Sequence, residues 1–337
     1  MSTSSALPFD DIRALLRQMP PALQECVAQV RARNAELAKP VGALGRVEDI
    51  SEWLAAWQGR SQPRIDRPTV VVFAANHGVL ARGVTQTPAA QTRQMLELFA
   101  AGGGAINQVC ASFGLGFKVF DLALDIPTSD IAQEPALDEK AAAATIAFGM
   151  EAISGGVDLL CLGDLGVGNT VIAAAIFAAL YGGDAGEWLP DNASSGLDRN
   201  RAIEAVQAAL DLHRSHFNDP LEIMRRLGGR EICAIAGAIV AARMERVPVI
   251  LDGYVVTAAA ALLHAVDGTA LDHCLAGHVA AGREHRAALS RLGMQPLLDL
   301  GIEIGEGYGA AMAAGVVKAA LASHADMATR TQAGVAF

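Results

Sequence analysis

The chain has 337 residues, 52% of them hydrophobic and 18% charged, with a formal net charge of −10. That balance excludes a disordered or collagen-like chain, and the length suits one large α/β domain with an appendage, or two domains. Acidic side chains outnumber basic ones by 36 to 26 and no Lys/Arg run occurs, so no nucleic-acid partner is expected.

Residues 1–11 have no basic start and no continuous apolar run, and they carry Asp10 and Asp11, so no secretion signal is expected. From Asp10 to about Gly59, charged positions interrupt Leu and Val at spacings of three and four. With Pro20 and Pro21 as a break and Lys39-Pro40 as a stop, two or three amphipathic helices are predicted. Pro68 then precedes a β-branched apolar run at 69–74 that ends in Asn76-His77-Gly78, a buried strand leading into a polar loop. Similar runs follow at 117–122, 158–162 and 247–251, each ending near Gly or Asp. Mostly Ala-rich helical segments at 138–152, 171–180, 201–213, 232–243 and 255–265 separate or flank them, the rhythm of a parallel sheet. Further helices are predicted at 280–292 and 309–324.

Two uncharged stretches, 98–117 and 165–183, approach membrane-spanning length. Gly102-Gly103-Gly104, Asn107 and Gln108 interrupt the first, and Gly166, Gly168 and Asn169 open the second, so both read as buried segments with no membrane partner. Cys26, Cys110, Cys161, Cys233 and Cys274 lie far apart and are odd in number, which predicts reduced thiols in a cytoplasmic protein. The predicted division is 1–60 as N-terminal helices, 61–270 as the α/β core, and 271–337 as C-terminal helices with a Gly-Glu-Gly loop. The two end segments together form a small helical domain closing over the sheet.

Three segments carry chemistry. Gly163-Asp164-Leu165-Gly166-Val167-Gly168-Asn169-Thr170 runs from a strand into a helix, where glycines admit a ligand to the backbone and free N–H groups attract phosphate. It lacks the P-loop lysine and the dinucleotide glycine spacing, and tight packing alone is its alternative explanation. Gly305-Glu306-Gly307-Tyr308-Gly309 precedes another helix and can present Glu306 as a general base; the alternative is an acid that complements the helix dipole. Asn76-His77-Gly78, followed by Thr85, Pro88, Gln91 and Gln94, sits at a strand's carboxyl end, where open α/β sheets bind ligands. A hydrogen-bonded structural histidine competes with that assignment. His278 and His285 share a helix face only at about 10 Å and belong to no His-Glu-x-x-His motif, so no metal site is expected. Arg225, Arg226, Arg230 and Glu231 around Gly228-Gly229 predict a solvated or salt-bridged turn.

From about Lys39 to the C-terminus the sequence resembles the nicotinate-nucleotide:dimethylbenzimidazole phosphoribosyltransferase family. Lys39-Pro40-Val41-Gly42-Ala43-Leu44-Gly45-Arg46 is similar to the family's Lys-Pro-Pro-Gly-Ser-Leu-Gly-Arg, Gly163 to Thr170 to its Gly-Glu-Met-Gly-Ile-Gly-Asn-Thr, and Gly305-Glu306-Gly307 to its Gly-Glu-Gly. Further matches lie at 73–79, 103–108, 228–231, 247–253 and 296–300. The resemblance implies a Rossmann-like parallel sheet with helices on both faces, a small helical domain from both chain ends, and a homodimer. It implies transfer of phosphoribose from nicotinate mononucleotide to an aromatic base, giving an α-ribonucleotide for cobamide lower-ligand synthesis, without a metal or redox cofactor. Glu306 is then the general base. Gly163, Asp164, Gly166, Gly168, Asn169, Thr170, Gly305 and Gly307 hold the phosphoribosyl part, and His77, Thr85, Gln91, Gln94 and Tyr308 are assigned to the base.

Several positions depart from the family pattern. Asp164 replaces Glu, Ala43 replaces Ser, Glu303 replaces Arg, and Tyr308 replaces Thr or Ser. Asn192-Ala193-Ser194-Ser195-Gly196 stands for Gly-Arg-Gly-Thr-Gly, and 277–285 departs from Ser-His-x-Ser-Ala-Glu-Pro-Gly-His. These changes predict a divergent paralogue with an altered acceptor. The competing expectation is a non-catalytic nucleotide- or base-binding homologue, a heteromeric partner of a paralogue; retained Glu306 favours the enzyme. A dinucleotide-dependent oxidoreductase lacks its glycine signature here.

Overall fold

The structure is a computed structural model and describes residues 8–191 and 196–336; of the motif 192–196, only Gly196 falls within them. Five strands, β1 (Pro68–Ala74), β2 (Gly116–Asp121), β3 (Leu159–Leu165), β4 (Val249–Leu251) and β5 (Cys274–Ala276), form one parallel sheet in the order β2-β1-β3-β4-β5. Because side chains alternate along a strand, each strand feeds two cores. Val71 and Phe73 of β1, Leu160 and Leu162 of β3, and Val249 and Leu251 of β4 face one layer of helices. Val70, Val72 and Ala74, with Leu159, Cys161 and Ile250, face the other. All of these side chains are buried. Each Val, Leu, Ile or Phe among them contributes about 1.5–3 kcal/mol, which is why uninterrupted apolar runs mark these strands.

On the first face lie the helices Glu139–Gly149, Asn169–Tyr181, Arg230–Met244 and Gly253–Val266. Gly237 lets the third of these meet the first so closely that an added Cβ would collide with the Ile146 carbonyl. On the second face lie Arg46–Gln58, Ala105–Phe113 and Tyr308–Asp326. The last presents Ala310, Ala311, Ala313 and Ala314 to the sheet, small side chains that bring its axis close to β3.

Two features differ from the predicted division. The first helix, Pro8–Arg17, buries Phe9, Ile12 and Leu16 in the first-face core, whereas Arg46–Gln58 buries Ile50 and Leu54 in the second. The N-terminal helices are therefore split between two layers and do not all close over the sheet with the C-terminal ones. Strand β5 lies beyond residue 270, so the sheet extends into the segment predicted to be helical. Its Cys-Leu-Ala sequence is short and holds no β-branched residue, which hid it from pattern reading.

Cys110, Cys161, Cys233 and Cys274 are buried thiols and Cys26 is half-buried; none of them is in a disulfide. Among the described residues no helix is long and apolar enough to cross a membrane.

Candidate active site at the sheet's switch point

The chain leaves β1 towards β2 on one side and returns to place β3 on the other, so the strand order reverses between β1 and β3. Crevices outside the carboxyl ends of strands at such a point are where open α/β sheets bind ligands. Beside that point, along the carboxyl edge of the sheet, stand Asp164 near the end of β3, Asp252 after β4 and His278 after β5. A cavity of about 390 Å³ opens above them, lined by Asp164, Gly166, Asn169 and Thr170 from the first glycine segment and by Gly305 and Glu306 from the second. Tyr254, His278, Glu284 and Glu303 complete much of the wall.

The first segment behaves as its sequence suggests. The helix Asn169–Tyr181 starts at the cavity; of its opening N–H groups, that of Asn169 reaches the Gly166 carbonyl at 3.5 Å and that of Val171 donates to the Gly168 carbonyl at 3.0 Å. Asn169 donates from Nδ2 to Asp164 Oδ2 at 2.6 Å, and Thr92 accepts the Val167 N–H at 3.2 Å, fixing the turn from two sides.

The second segment is laid directly on the first. The Glu306 N–H donates to the Asp164 carbonyl at 3.0 Å. Gly163 makes this contact feasible, because a Cβ there would strike the backbone nitrogen of Gly307. Glu306 itself has φ +68°, in the left-handed region that a non-glycine residue enters at a cost of about 1–3 kcal/mol. That cost is met where the turn aims a carboxylate into the cavity.

Electrostatically the site is acidic. No Lys or Arg occurs among the described lining residues, while Asp164, Glu284, Glu303 and Glu306 do. Burial, with the nearby Asp252, raises the proton affinity of Glu306 above the ordinary carboxylate value. Asp164 is shifted further in the same direction by burial and then by Asp252, Glu231 and Glu306. Glu284 is also raised, chiefly by burial. A carboxylate of raised proton affinity is chemically suited to accept a proton near neutral pH.

The predicted site residues divide sharply. Glu306, Asp164, Gly166, Asn169, Thr170 and Gly305 line the cavity; Gly163 and Gly307 form the contact beneath it; Gly168 caps the helix. The five residues assigned to the base do not join them. His77 is buried, its Nε2 3.0 Å from Glu231 Oε1, and the pair lies under the loop at Gly166. Thr85 donates to the Gly196 carbonyl at 3.1 Å. Gln91 and Gln94 are exposed on the helix Ala90–Ala100, whose inward residue at the loop is Thr92. Tyr308 packs half-buried against the second-face core, because one step past Gly307 the helix has turned its side chains to the sheet.

Other expectations are adjusted similarly. Arg225 and Arg226 pair with Glu222 at 2.6 and 2.7 Å, the salt-bridged turn foreseen, but Glu231 is turned inward to His77. His278 and His285 are not on one helix face; their rings lie 6.1 Å apart because His278 precedes the helix Arg283–Arg291. His285 is structural: Nδ1 accepts the Ala280 N–H at 2.9 Å, and burial pushes it down to about 3. Asp252, His278 and Thr92 were missed. The available signal for Asp252 was a lone acid closing the apolar run at 247–251.

A cleft at the strand ends, with a helix start and a glutamate in a left-handed turn, is a small-ligand site of an α/β enzyme. The chain matches the phosphoribosyltransferase family over residues 19–335. It is 60% identical over 334 residues to the nicotinate-nucleotide–dimethylbenzimidazole phosphoribosyltransferase of Methylocella silvestris, covering 99% of this chain and 98% of the relative. It is equally identical over 332 residues to the enzyme of that name from Agrobacterium fabrum, covering 98% and 96%. The crystal structure of the Thermus thermophilus enzyme superposes with a TM-score of 0.82 at 38% identity, covering 93% of this chain and 99% of that one. The chain thus belongs to the nicotinate-nucleotide–dimethylbenzimidazole phosphoribosyltransferase family.

Proposed function

We propose that this enzyme transfers the phosphoribosyl group of nicotinate mononucleotide to dimethylbenzimidazole, with Glu306 as the general base. The observation that carries the reading is Glu306 itself, held in a left-handed turn at the switch-point cavity of a chain 60% identical to relatives of that name. The same identity favours an active enzyme with the ordinary acceptor over an altered acceptor or a non-catalytic partner subunit. A cytoplasmic homodimer accompanies this proposal.

In the reaction, one acceptor ring nitrogen attacks C1′ of the ribose. The bond from C1′ to the pyridinium nitrogen breaks, its electron pair returns to that nitrogen, and nicotinate leaves with a neutral ring. The proton on the acceptor's second nitrogen passes to Glu306. An acidic lining suits the positive charge on the bound donor's pyridinium ring and, as the bond breaks, on the ribose carbon, and the start of the helix Asn169–Tyr181 suits the phosphate. The remaining work is orientation, for which preorganised turns are worth several orders of magnitude.

The test is to incubate the protein with nicotinate mononucleotide and a panel of benzimidazoles, phenols and purines and to follow nicotinate release. Dimethylbenzimidazole is expected to be the best acceptor, giving an α-ribotide by proton NMR. A purine or phenol preferred by a wide margin would refute the acceptor, and no release with any of them would refute the reaction. In parallel, a donor at about 100 times its dissociation constant adds roughly 2.7 kcal/mol of stability, visible as a raised melting temperature.

A further inference from the structure

Behind the Glu306 turn lies a buried carboxylate that the reaction as described does not use. Asp252 directly follows β4 and is wholly buried. Its Oδ2 accepts the Gly307 N–H at 2.9 Å and its Oδ1 the Ala310 N–H at 2.8 Å, so one side chain from a different strand caps the helix Tyr308–Asp326. His278, from the loop after β5, places Nε2 3.2 Å from Asp252 Oδ1, and its ring lies against Gly309, where a Cβ would collide with it. The turn carrying Glu306 is thereby clamped to the ends of two strands by one Asp–His pair. The sequence shows none of this, because the partners are 26 and 55 or more positions apart.

We propose that Asp252, with His278 beside it, is the positioning residue of the reaction: it fixes the left-handed turn that aims Glu306 into the cavity. The inference rests on the reading of Glu306 as the base. A helix cap supplied by any acceptor would satisfy the N–H groups, but an acid at this place also raises the proton affinity of Glu306, after burial. Besides Asp252, the titratable groups around the cavity are Asp164 at the end of β3, His278 after β5, Glu284 in the helix Arg283–Arg291, and Glu303 on the approach to the turn. Burial first and Asp252 second raise the proton affinity of Glu306. Removing the charge at 252 should therefore lower it, and the acidic limb of the turnover profile should move to lower pH.

The experiment compares pH profiles of kcat for the full-length enzyme, Asp252→Asn and Glu306→Gln, with nicotinate mononucleotide and dimethylbenzimidazole as substrates and melting temperature recorded throughout. Asp252→Asn is expected to lose roughly 10²-fold in kcat through a displaced base, with KM for the donor changed only a few-fold and the acidic limb displaced downward. A lowered kcat with an unmoved limb would overturn the charge role, and an unchanged kcat would overturn the positioning role. Should Asp252→Asn fail to fold, His278→Gln and His278→Leu decide. Glutamine keeps a polar donor beside Asp252 and leucine does not, so the leucine variant should turn over about tenfold more slowly than the glutamine variant. Equal rates for the two would overturn the proposal. Glu306→Gln keeps the readings apart: activity in that variant removes the base itself, whereas its inactivity with a normal Asp252→Asn profile removes only the clamp.

Discussion

Two glycine segments meet at the carboxyl edge of the sheet, and they are held there in different ways. The turn after β3 continues a strand paired on both sides, and its helix is buried from Val171 to Ala178. The turn at Gly305–Gly309 follows no strand; residues 299–304 leading to it are exposed or half-buried. It is fixed by one backbone bond to Asp164 and two to the Asp252 side chain. The turn after β3 is thus part of the core, while Glu306 rides on a turn fastened from outside. Substitutions that disturb the packing of the first should cost stability and activity together. In the second they should separate the two.

Gly163→Ala attacks the seam between the segments and should have the largest combined effect. Its Cβ would displace the Gly307 backbone, since no flexible side chain is there to yield. About 3 kcal/mol of stability should be lost, read by urea unfolding, together with roughly 10²-fold in nicotinate release. A variant as stable and active as the parent would show that the two turns do not depend on each other.

Asp164→Asn sharpens the comparison through pH. An acid whose proton affinity is raised on folding binds more protons in the native than in the unfolded state. Stability contributed by that group is therefore present at low pH and declines as pH rises from the ordinary carboxylate value through the raised one. Asparagine removes the decline, so relative to the parent the variant should gain stability toward neutral and alkaline pH. It should bind the donor more weakly only to the extent that the Asn169 contact at 2.6 Å is lost. Melting temperatures from pH 4 upward in half-unit steps, about nine points to pH 8, check the sign. Parallel curves for the two proteins would show that Asp164 does not carry the shift.

What could be read in advance follows the same division. β1, β3 and β4 announced themselves because strands buried on both faces are continuous apolar runs, and the half-buried edge strand β2 showed in its Phe117, Val119 and Phe120. The glycine segments were legible as strand-to-helix turns. The residues that did not come out are those whose role depends on direction. Gln91 and Gln94 were chosen by type, yet the helix turns Thr92 to the loop. Tyr308 stands beside Glu306 in sequence, but one helical step directs it to the core. His77 lies at the right strand end and is spent on Glu231, a partner 154 positions later. Asp252 and His278 needed the parallel pairing of β4 and β5, and β5 has too little sequence signature to be foreseen.

The central claim is that Glu306 takes the acceptor's proton, and Glu306→Gln tests it most directly because the side chain keeps its size and loses only the capacity to accept that proton. Nicotinate release from nicotinate mononucleotide and dimethylbenzimidazole should fall by roughly 10²-fold or more, while the melting temperature and the donor's binding, measured by calorimetry, stay close to those of the parent. Release within a few-fold of the parent enzyme would contradict the account and leave Glu306 as an acid at the start of a helix.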